Sequence, residues 1–329
     1  MNAIRHPFRA EPALPRDSIA SAIAPVARHL RLHDYSFAAV TPETHRRVIA
    51  NNAECKDVLR DVFGWNRSFA RDDIAPPVFD ALESAAALQR VDHSHSLWRS
   101  RIRFATLGKE IFAHSAFPTD ASDSVFFGPD TYRFAALIQR AIAARSKPVD
   151  RIVDIGCGSG AGAIVAAKAA KGDTHIVLAD INPVALDFAA ANAESSGIDW
   201  FECVESDVFS SIAGAFDLVV SNPPYLCDPK ERLYRHGGNA HGAELSLRIL
   251  RESLPRLRPN GQLVLYTGTA IVDGVDTFFR GAIPHLKSKQ LRHDYVEIDP
   301  DVFGEELDRR QYAHVERIAA VGLVVTRIE

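Results

Sequence analysis

A tetrapeptide at residues 222–225 contains the residue types that best indicate chemistry in this chain. It consists of Asn222, Pro223, Pro224 and Tyr225. The asparagine supplies an amide oxygen, and the two prolines remove two backbone donors while leaving their carbonyl groups free to accept. The tyrosine supplies a flat ring on which a planar group can stack. We therefore predict that these four residues are catalytic and hold a planar amino group for a reaction at its nitrogen.

A glycine-rich loop lies between a short apolar run and a stretch of small residues. Such a loop lets the backbone approach a ligand closely, and Gly156-x-Gly158-x-x-Ala161 also fits the looser dinucleotide pattern. Asp154 lies two residues before the first glycine, where a carboxylate can meet the ammonium group of S-adenosylmethionine. This acid favours S-adenosylmethionine, although the loop alone leaves a dinucleotide open.

Two further acids follow the next predicted strands. Asp180 can accept both ribose hydroxyls of such a cofactor, and Asp207 can accept from the adenine amino group, because open α/β sheets bind ligands at strand ends. Each acid has a plainer alternative, since Asp180 can cap the helix that begins at Pro183 and Asp207 can be a turn acid. The predicted cofactor contacts are Asp154, Gly156, Cys157, Gly158, Gly160, Asp180, Ile181, Asp207, Val208 and Asn222.

The elements that must position these residues alternate in type. Strands are predicted at 151–155, 175–180, 200–204, 216–221 and 262–267, and helices at 160–170, 183–195 and 242–257. Alternation of this kind indicates a parallel sheet with helices on both faces. The runs 291–298 and 314–328 have no obvious helix between them and predict an antiparallel pair. The expected fold class is therefore α/β, with a seven-stranded, doubly wound sheet.

Residues 1–120 have a different sequence pattern from the rest of the chain. Residues 1–120 are predicted to form a smaller, mainly helical domain for substrate recognition, and residues 121–329 to form the cofactor-binding catalytic domain. Helices are expected from Ser18 towards Leu32, over 42–51 and from Pro76 to Gln89. An alternating run at 97–107, followed by a short run at 111–114, predicts a β-hairpin.

Composition and charge exclude several function classes. The net charge is −4 and the pI is near 6.4, so no global basic surface marks a nucleic-acid binder. With 47% hydrophobic and 24% charged residues the chain is typical of globular proteins. No apolar run reaches the ~18 residues that a membrane helix needs. A cytoplasmic protein without membrane attachment is predicted.

A local basic surface near the site remains one of two interpretations of the arginines. The other is an ordinary charged outer face. The residues concerned are Arg99, Arg101, Arg103, Lys230, Arg232, Arg235, Arg248, Arg251, Arg256 and Arg258.

No metal site is predicted. His93 and His95 lack a third ligand nearby. The cysteines form no C-x-x-C pair and have no histidine at ligand spacing, which also excludes a disulfide framework. They are Cys55, Cys157, Cys203 and Cys227.

The glycine loop and the tetrapeptide together resemble the class I S-adenosylmethionine-dependent methyltransferases, in the branch that carries Asn-Pro-Pro-Tyr or Asp-Pro-Pro-Tyr. Release-factor glutamine methyltransferases are similar over roughly residues 125–270. Residues 125–131 occupy the place of that family's Pro-x-x-Thr-like turn, and residues 234–244 resemble its glycine-containing turn beside the active site. Residues 265–268 depart from the family, which commonly carries a glutamate there. The resemblance implies a Rossmann-like catalytic domain and methyl transfer to nitrogen.

The methyl acceptor implied by this resemblance is a glutamine side chain of a protein such as a release factor. Methyltransferases of RNA adenine or guanine amino groups share the framework, so an RNA acceptor is the alternative, and a small molecule is a third. A dehydrogenase that uses the glycine loop is a separate hypothesis, distinguished by NAD binding. A non-catalytic binding module is another, distinguished by a lack of turnover.

Overall fold

The computed structural model of the chain describes residues 16–51, 57–91, 96–117, 119, 121–170, 172–228 and 232–328. Parts of the sequence interpretation fall outside these ranges. They concern Cys55, His93, His95 and Lys230.

Helices and strands alternate over much of the described chain. The helices are α1 (Arg16–Leu32), α2 (Pro42–Ala50), α3 (Pro76–Ser84), α4 (Pro129–Ala143), α5 (Ala161–Ala170), α6 (Pro183–Ser195), α7 (Glu244–Ser253) and α8 (Thr277–Leu286). The strands are β1 (Phe69–Ala70), β2 (Leu88–Arg90), β3 (Leu97–Ser100), β4 (Ile102–Leu107), β5 (Glu110–Ser115), β6 (Arg151–Ile155), β7 (His175–Asp180), β8 (Phe201–Glu205), β9 (Phe216–Ser221), β10 (Leu257–Val272), β11 (Val275–Asp276), β12 (Leu291–Asp299) and β13 (Arg317–Arg327).

The main sheet has the strand order β12-β13-β10-β9-β6-β7-β8, with β11 paired to β10. Strands β10, β9, β6, β7 and β8 run parallel, whereas β13 is antiparallel to β10 and β12. The predicted seven-stranded, doubly wound sheet closed by an antiparallel pair is confirmed, and β11 is a short addition. The chain winds from β6 in one direction and then crosses to β9 on its other side. The ligand-binding crevice of such sheets therefore lies at the carboxyl ends of β6 and β9.

Both faces of this sheet are covered. One hydrophobic cluster contains Phe134 of α4 and Ile164 of α5, and a second contains Ile249 of α7 and Phe278 of α8. Because the central strands are buried on both sides, they are apolar runs rather than alternating ones. The sheet is thus a rigid platform for the loops at its carboxyl edge.

The helix predicted to reach Gln89 is shorter than expected. Helix α3 ends at Ser84, and Ala86 adopts a left-handed conformation with φ of 51°. The amide of Ala87 then donates to the carbonyl of Leu82 at 2.8 Å, which closes the helix end. Leu88 begins strand β2. The apolar spacing over this segment could not reveal the turn, because alanine rarely adopts this conformation.

The predicted hairpin exists, but its first strand is broken. Strand β3 pairs with β1 and β2, whereas β4 pairs with β5 in a separate sheet. At the break the hydroxyl of Ser100 donates to the carbonyl of Ile102 and accepts from the amide of Ile102. These local side-chain bonds take the place of backbone hydrogen bonds between strands, and the chain changes direction here.

Arg103, predicted to share an exposed charged face, is instead buried. Its Nε donates to the carbonyl of Gly64 at 2.8 Å, and its guanidinium lies 4.2 Å from the ring centre of Phe117. Burial lowers the pKa of Arg103 to about 10. The prediction failed because strand alternation cannot distinguish a solvent-facing arginine from one stacked on an aromatic ring.

The region before residue 121 packs on the sheet through α6. Its hydrophobic cluster includes Ala185, Phe188 and Ala191 of that helix. The buried Asn192 side chain also bonds to the backbone of Ala113 in both directions and donates to the carbonyl of Ser159. One α6 residue therefore joins the hairpin to the glycine loop. The division into domains at residue 120 stays a prediction.

Candidate active site

A cavity of about 1140 Å³ lies at the carboxyl ends of β6 and β9. The glycine loop, the ends of β7 and β8, and the tetrapeptide form one part of its wall, and the start of α2 and the segment after β12 form another. Small-molecule sites usually occupy about 300–1000 Å³. This volume is sufficient for a cofactor together with part of an acceptor.

The glycine loop has the local geometry that the sequence predicts. Gly156 and Gly158 have φ of +69° and +53°, and an added Cβ at either position would meet nothing within 4 Å. Conformation rather than space therefore requires glycine here. The amides of Gly156 and Cys157 both donate to the carbonyl of Ala179, at 2.8 and 2.9 Å. These two amides are consequently not available to a phosphate.

Asp154 is buried behind the loop at the N-terminus of α5. Its Oδ2 accepts from the amide of Ala163 at 2.9 Å, and the amide of Gly162 also donates to the carboxylate. Dinucleotides place their pyrophosphate at this helix end. Because a carboxylate already occupies the position, a pyrophosphate would be repelled. The residues thus fit a cationic cofactor and count against the dehydrogenase hypothesis.

Asp180, at the end of β7, also lines the cavity. Its Oδ2 accepts from the amide of Gly158 and its Oδ1 from the amide of Asn182, both at 2.9 Å. The cap of α6 is Asn182, whose side chain accepts from the amide of Val184. The plainer alternative for Asp180 as the helix cap is therefore wrong. Burial raises the pKa of Asp180 above its usual range.

Cofactor binding is expected to depend on pH through Asp154. Burial raises the pKa of Asp154 to about 7 from a model-peptide value of 3.8. A cationic cofactor favours the ionised carboxylate, so the affinity for S-adenosylmethionine should rise with pH up to about 7 and then level. The rise is at most about tenfold per pH unit for each proton released. Isothermal titration across pH 5 to 8 measures it.

The raised pKa of Asp154 also predicts how the stability of the cofactor-free protein changes with pH. Between about pH 4 and 7 the unfolded chain has lost the Asp154 proton while the native state keeps it, so stability should fall as pH rises through this window. Asp154→Asn should flatten both profiles. Unchanged profiles in this variant would show that Asp154 does not titrate as described.

The acid after β8 lies on the outer part of the site. Both carboxylate oxygens of Asp207 accept from Nη1 of Arg248, at 2.8 and 2.9 Å. Val208 lines the cavity with φ of 54°, a conformation that β-branched residues rarely adopt. Ile181 also lines the cavity and is half exposed. The carbonyl of Asp207 also accepts from the amide of Ser210 at 3.1 Å, so the turn-acid alternative stays open, and a contact of Asp207 with adenine stays a prediction.

The tetrapeptide follows β9 directly and lines the cavity beside the loop. In the described part of the chain, the half-buried Asn222 side chain makes no hydrogen bond. Pro224 is held from behind by the glycine turn, since an added Cβ on Gly237 would lie 2.6 Å from the Pro224 carbonyl oxygen. Because the side-chain amide of Asn222 has no partner among the described residues, it is available to a ligand.

Tyr225 is more constrained than its predicted stacking role suggests. It is 6% exposed, and its hydroxyl donates to Oδ2 of Asp130 at 2.5 Å. Its ring lies directly over Gly268, and the ring of Phe303 contacts it edge-on with centres 5.8 Å apart. Only the ring surface, not the hydroxyl, remains for an acceptor.

Gly268→Ala is expected to displace Tyr225 and to lower turnover. An added Cβ would overlap the ring and lie 2.9 Å from its Cγ. Such overpacking typically costs about 1–3 kcal/mol of stability. We expect unchanged affinity for S-adenosylmethionine, because the cofactor loop lies elsewhere. Gly172→Ala is the matched control, since its Cβ meets nothing within 4 Å. Normal turnover of Gly268→Ala would contradict the placement of the ring.

The histidines beside the glycine turn do not line the cavity. The amide of Asp228 donates to Nδ1 of His236 at 3.2 Å, so that nitrogen is already an acceptor. His241 has a left-handed backbone with φ of 55° and lies near Tyr312. Nothing in this geometry gives either imidazole access to an acceptor nitrogen.

Most of the arginines after the tetrapeptide are paired with groups of this chain, whereas Arg251 is exposed. Arg232 contacts Asp228, Arg235 contacts Glu306, Arg248 contacts Asp207 and Glu252, Arg256 contacts the carbonyls of Ile212 and Gly214, and Arg258 contacts Asp217. The charges of Arg232, Arg235, Arg248 and Arg258 are therefore balanced by acids of this chain. For Arg99, Arg101, Arg251 and Arg256 the interpretation as a basic surface stays a prediction.

Two parts of the cavity wall come from segments whose sequence does not indicate that they lie at the site. One is the start of α2, which contributes Thr41, Arg46 and Arg47. The other follows β12 and includes Phe303, which has φ of 55°. A bulky residue rarely adopts this conformation. Neither segment contains a motif, so only the fold reveals that they meet the tetrapeptide.

Two classes of site are absent from the described residues. Within these ranges no group of three or more His, Cys, Asp or Glu side chains is arranged to hold a metal ion. The same part of the chain contains no helix that is both long and apolar enough to cross a bilayer.

The sequence of this chain is similar to those of known methyltransferases. A family model described as methyltransferase small domain matches residues 135–271. A release factor glutamine methyltransferase of Lactococcus lactis is 29% identical over 52% of this chain and 63% of its own length. One from Deinococcus radiodurans is 27% identical over 72% of this chain and 85% of its own.

An RNA-modifying relative is also similar. The tRNA1(Val) (adenine(37)-N6)-methyltransferase of Aeromonas hydrophila is 34% identical over 38% of this chain and 54% of its own length. The chain thus spans less than two thirds of the Lactococcus and Aeromonas relatives. The matched residues include the glycine loop and the tetrapeptide, so the predicted enzyme class and cofactor are confirmed.

Proposed function

We propose that this chain, an S-adenosylmethionine-dependent methyltransferase that carries the methyltransferase small domain, methylates the side-chain amide of a glutamine in a protein. The observation that carries the proposal is the tetrapeptide at the cavity. Asn222 lines the cavity and makes no hydrogen bond among the described residues, and Pro223 and Pro224 have no amide proton to donate. Such a surface accepts hydrogen bonds and does not offer them.

An amide nitrogen is a poor nucleophile because its lone pair is delocalised. The Asn222 side-chain oxygen and the Pro223 carbonyl can each accept one N–H of the target, which directs the remaining lobe of the nitrogen into the cofactor side of the cavity. The bound cofactor supplies a methyl group on a cationic sulfur. Since the reaction relieves that charge, no general base is needed before transfer, and the proton leaves afterwards.

The charges on the cavity wall favour a protein over an RNA acceptor. Among the described residues, each arginine of the wall already contacts an acid of the chain. The pairs are Arg46 and Arg47 with Glu43, Arg133 with Asp130 and Asp299, Arg232 with Asp228, and Arg235 and Arg309 with Glu306. RNA binding requires cations for phosphates. A neutral peptide segment requires none, and the glutamine-methylating relatives support this choice.

An RNA amino group is the second candidate. The rings of Phe126 and Tyr234 stack at 5.8 Å on the cavity wall, and unpaired bases commonly stack on such aromatic side chains. The similarity to the tRNA adenine methyltransferase supports it as well. A small-molecule acceptor has no comparable observation in its favour.

Incubation of the protein with methyl-labelled S-adenosylmethionine and a cell extract tests the proposal. We expect the label in macromolecules to be released by protease and to resist nuclease, and its incorporation to vary little with salt. Release by nuclease, with incorporation that falls steeply as salt rises, would instead identify an RNA acceptor. Label confined to small molecules would contradict both.

A further inference from the structure

We infer that Asp130 is a positioning residue for methyl transfer, and that its carboxylate fixes the tetrapeptide through the hydroxyl of Tyr225. Asp130 does not contact the reacting nitrogen and acts through the tyrosine. This inference rests on the proposed function, because it assigns residues 222–225 to the acceptor site.

Three donors converge on this carboxylate. Tyr225 donates to Oδ2 at 2.5 Å, and Oδ1 accepts from the hydroxyl of Tyr266 at 2.8 Å and from Nη1 of Arg133 at 3.0 Å. Asp130 is only 9% exposed. Hydrogen bonds from a hydroxyl to an ionised carboxylate are short and roughly twice as strong as neutral ones. The hydroxyl of Tyr225 is thus held in one place.

The charge of Asp130 is balanced without releasing the tyrosine. Arg133 lies one turn further along α4, and its Nη2 donates to Asp299 at 2.6 Å. The network joins the start of α4 to the middle of β10, through Tyr266, and to the end of β12, through Asp299. Because these are rigid elements of the main sheet and its cover, the position of the carboxylate is set by the fold.

Tyr225 is fixed at both ends. Its backbone packs against the glycine turn, where an added Cβ on Gly237 would lie 2.7 Å from the Tyr225 Cα. Its hydroxyl is fixed by Asp130, and its ring lies on Gly268. Since Tyr225 follows Pro223 and Pro224 directly, a displacement of Tyr225 would move the Pro223 carbonyl that is proposed to hold the acceptor. A misplacement of about 1 Å can cost on the order of 10²-fold in rate.

A general contribution to stability is the plainer explanation of a buried, bonded carboxylate. It predicts that Asp130 and Tyr225 affect turnover only as far as they unfold the protein. The positioning role predicts something more specific, because Asp130 then has no effect on turnover once the Tyr225 hydroxyl is absent. A double-mutant cycle separates the two explanations.

The experiment compares Asp130→Asn, Tyr225→Phe and the double variant. Initial rates of methyl incorporation from labelled S-adenosylmethionine into cell-extract macromolecules give turnover, and isothermal titration gives cofactor affinity. We expect each single variant to lose about 10- to 100-fold in rate with cofactor affinity within about twofold. The double variant should be no slower than the slower single one.

Tyr35→Phe is the matched control. Its hydroxyl is also buried and donates to the carbonyl of Phe104 at 2.7 Å, but it does not line the cavity. It should lose stability without losing rate in the folded fraction. If Asp130→Asn does not fold, Tyr225→Phe alone decides, because it removes only the hydroxyl. A normal rate for Tyr225→Phe, or multiplied losses in the double variant, would overturn the inference.

The failure of the proposed function gives a different result. In that case the label transferred by the wild-type enzyme would be released by nuclease or confined to small molecules, whatever the rates of the Asp130 and Tyr225 variants. Loss of rate in Asn222→Ala, together with independent effects of Asp130 and Tyr225, would overturn the positioning role alone.

Discussion

Asn222→Ala is expected to lower turnover on the order of 10²- to 10³-fold, the loss typical when one preorganised polar group of a reacting site is removed. In the proposed function the side-chain oxygen of Asn222 accepts one N–H of the methyl acceptor, and no other side chain of the tetrapeptide can replace it. The glycine loop and Asp180 remain, so the affinity for S-adenosylmethionine should fall at most several-fold. Rates with labelled cofactor and isothermal titration measure the two effects.

Asn222→Asp is the matched control for this change. The aspartate keeps a side-chain oxygen at the same place and gives the Asp-Pro-Pro-Tyr form of the motif, so we expect it to retain far more turnover than the alanine variant. Unchanged turnover of Asn222→Ala, with cofactor binding retained, would show that Asn222 does not hold the acceptor nitrogen.

Asp180→Ala is expected to weaken S-adenosylmethionine binding on the order of 10²-fold. The variant removes the acceptors of the Gly158 and Asn182 amides, which shape the loop, together with the carboxylate predicted to bind the ribose hydroxyls. Each hydrogen bond to a charged group contributes about 1.5–3 kcal/mol, so the loss of two is a large effect. Isothermal titration with the purified variant measures the dissociation constant.

Two control variants show whether the weaker cofactor binding of Asp180→Ala is caused by the loss of its carboxylate. Asp180→Asn keeps one oxygen acceptor and should show an intermediate loss. Asp173→Ala removes an exposed carboxylate outside the cavity and should bind the cofactor normally. An Asp180→Ala variant with wild-type affinity would show that this carboxylate neither shapes the loop nor meets the ligand.

The sheet and its cofactor edge could be predicted from the sequence, because local pattern determines both. The apolar run 216–221 and the residues around Asp154 and Asp180 form strands as expected, and the helix predicted at 183–195 matches α6. Buried parallel strands have continuous apolar runs, and glycines with left-handed conformations mark the loop. The signals lie within a few residues of the features they predict.

The acceptor side of the cavity could not be predicted, because it is assembled from distant segments. Asp130 meets Tyr225 across 95 positions, and Phe303 approaches the same ring from beyond β12. Arg103 illustrates the same limit, since its burial depends on aromatic rings from other segments. Residue spacing contains information about neighbours in the chain but not about such contacts.

The central claim is that the methyl group is transferred to a glutamine amide nitrogen. Acid hydrolysis of the protein fraction labelled by this enzyme tests it directly, because hydrolysis of an N-methylated amide releases methylamine and leaves unlabelled glutamate. We predict that the label is recovered as methylamine, which becomes volatile once the hydrolysate is made alkaline. Label that remains on an amino acid after hydrolysis, or that is found in nucleosides, would contradict the claim.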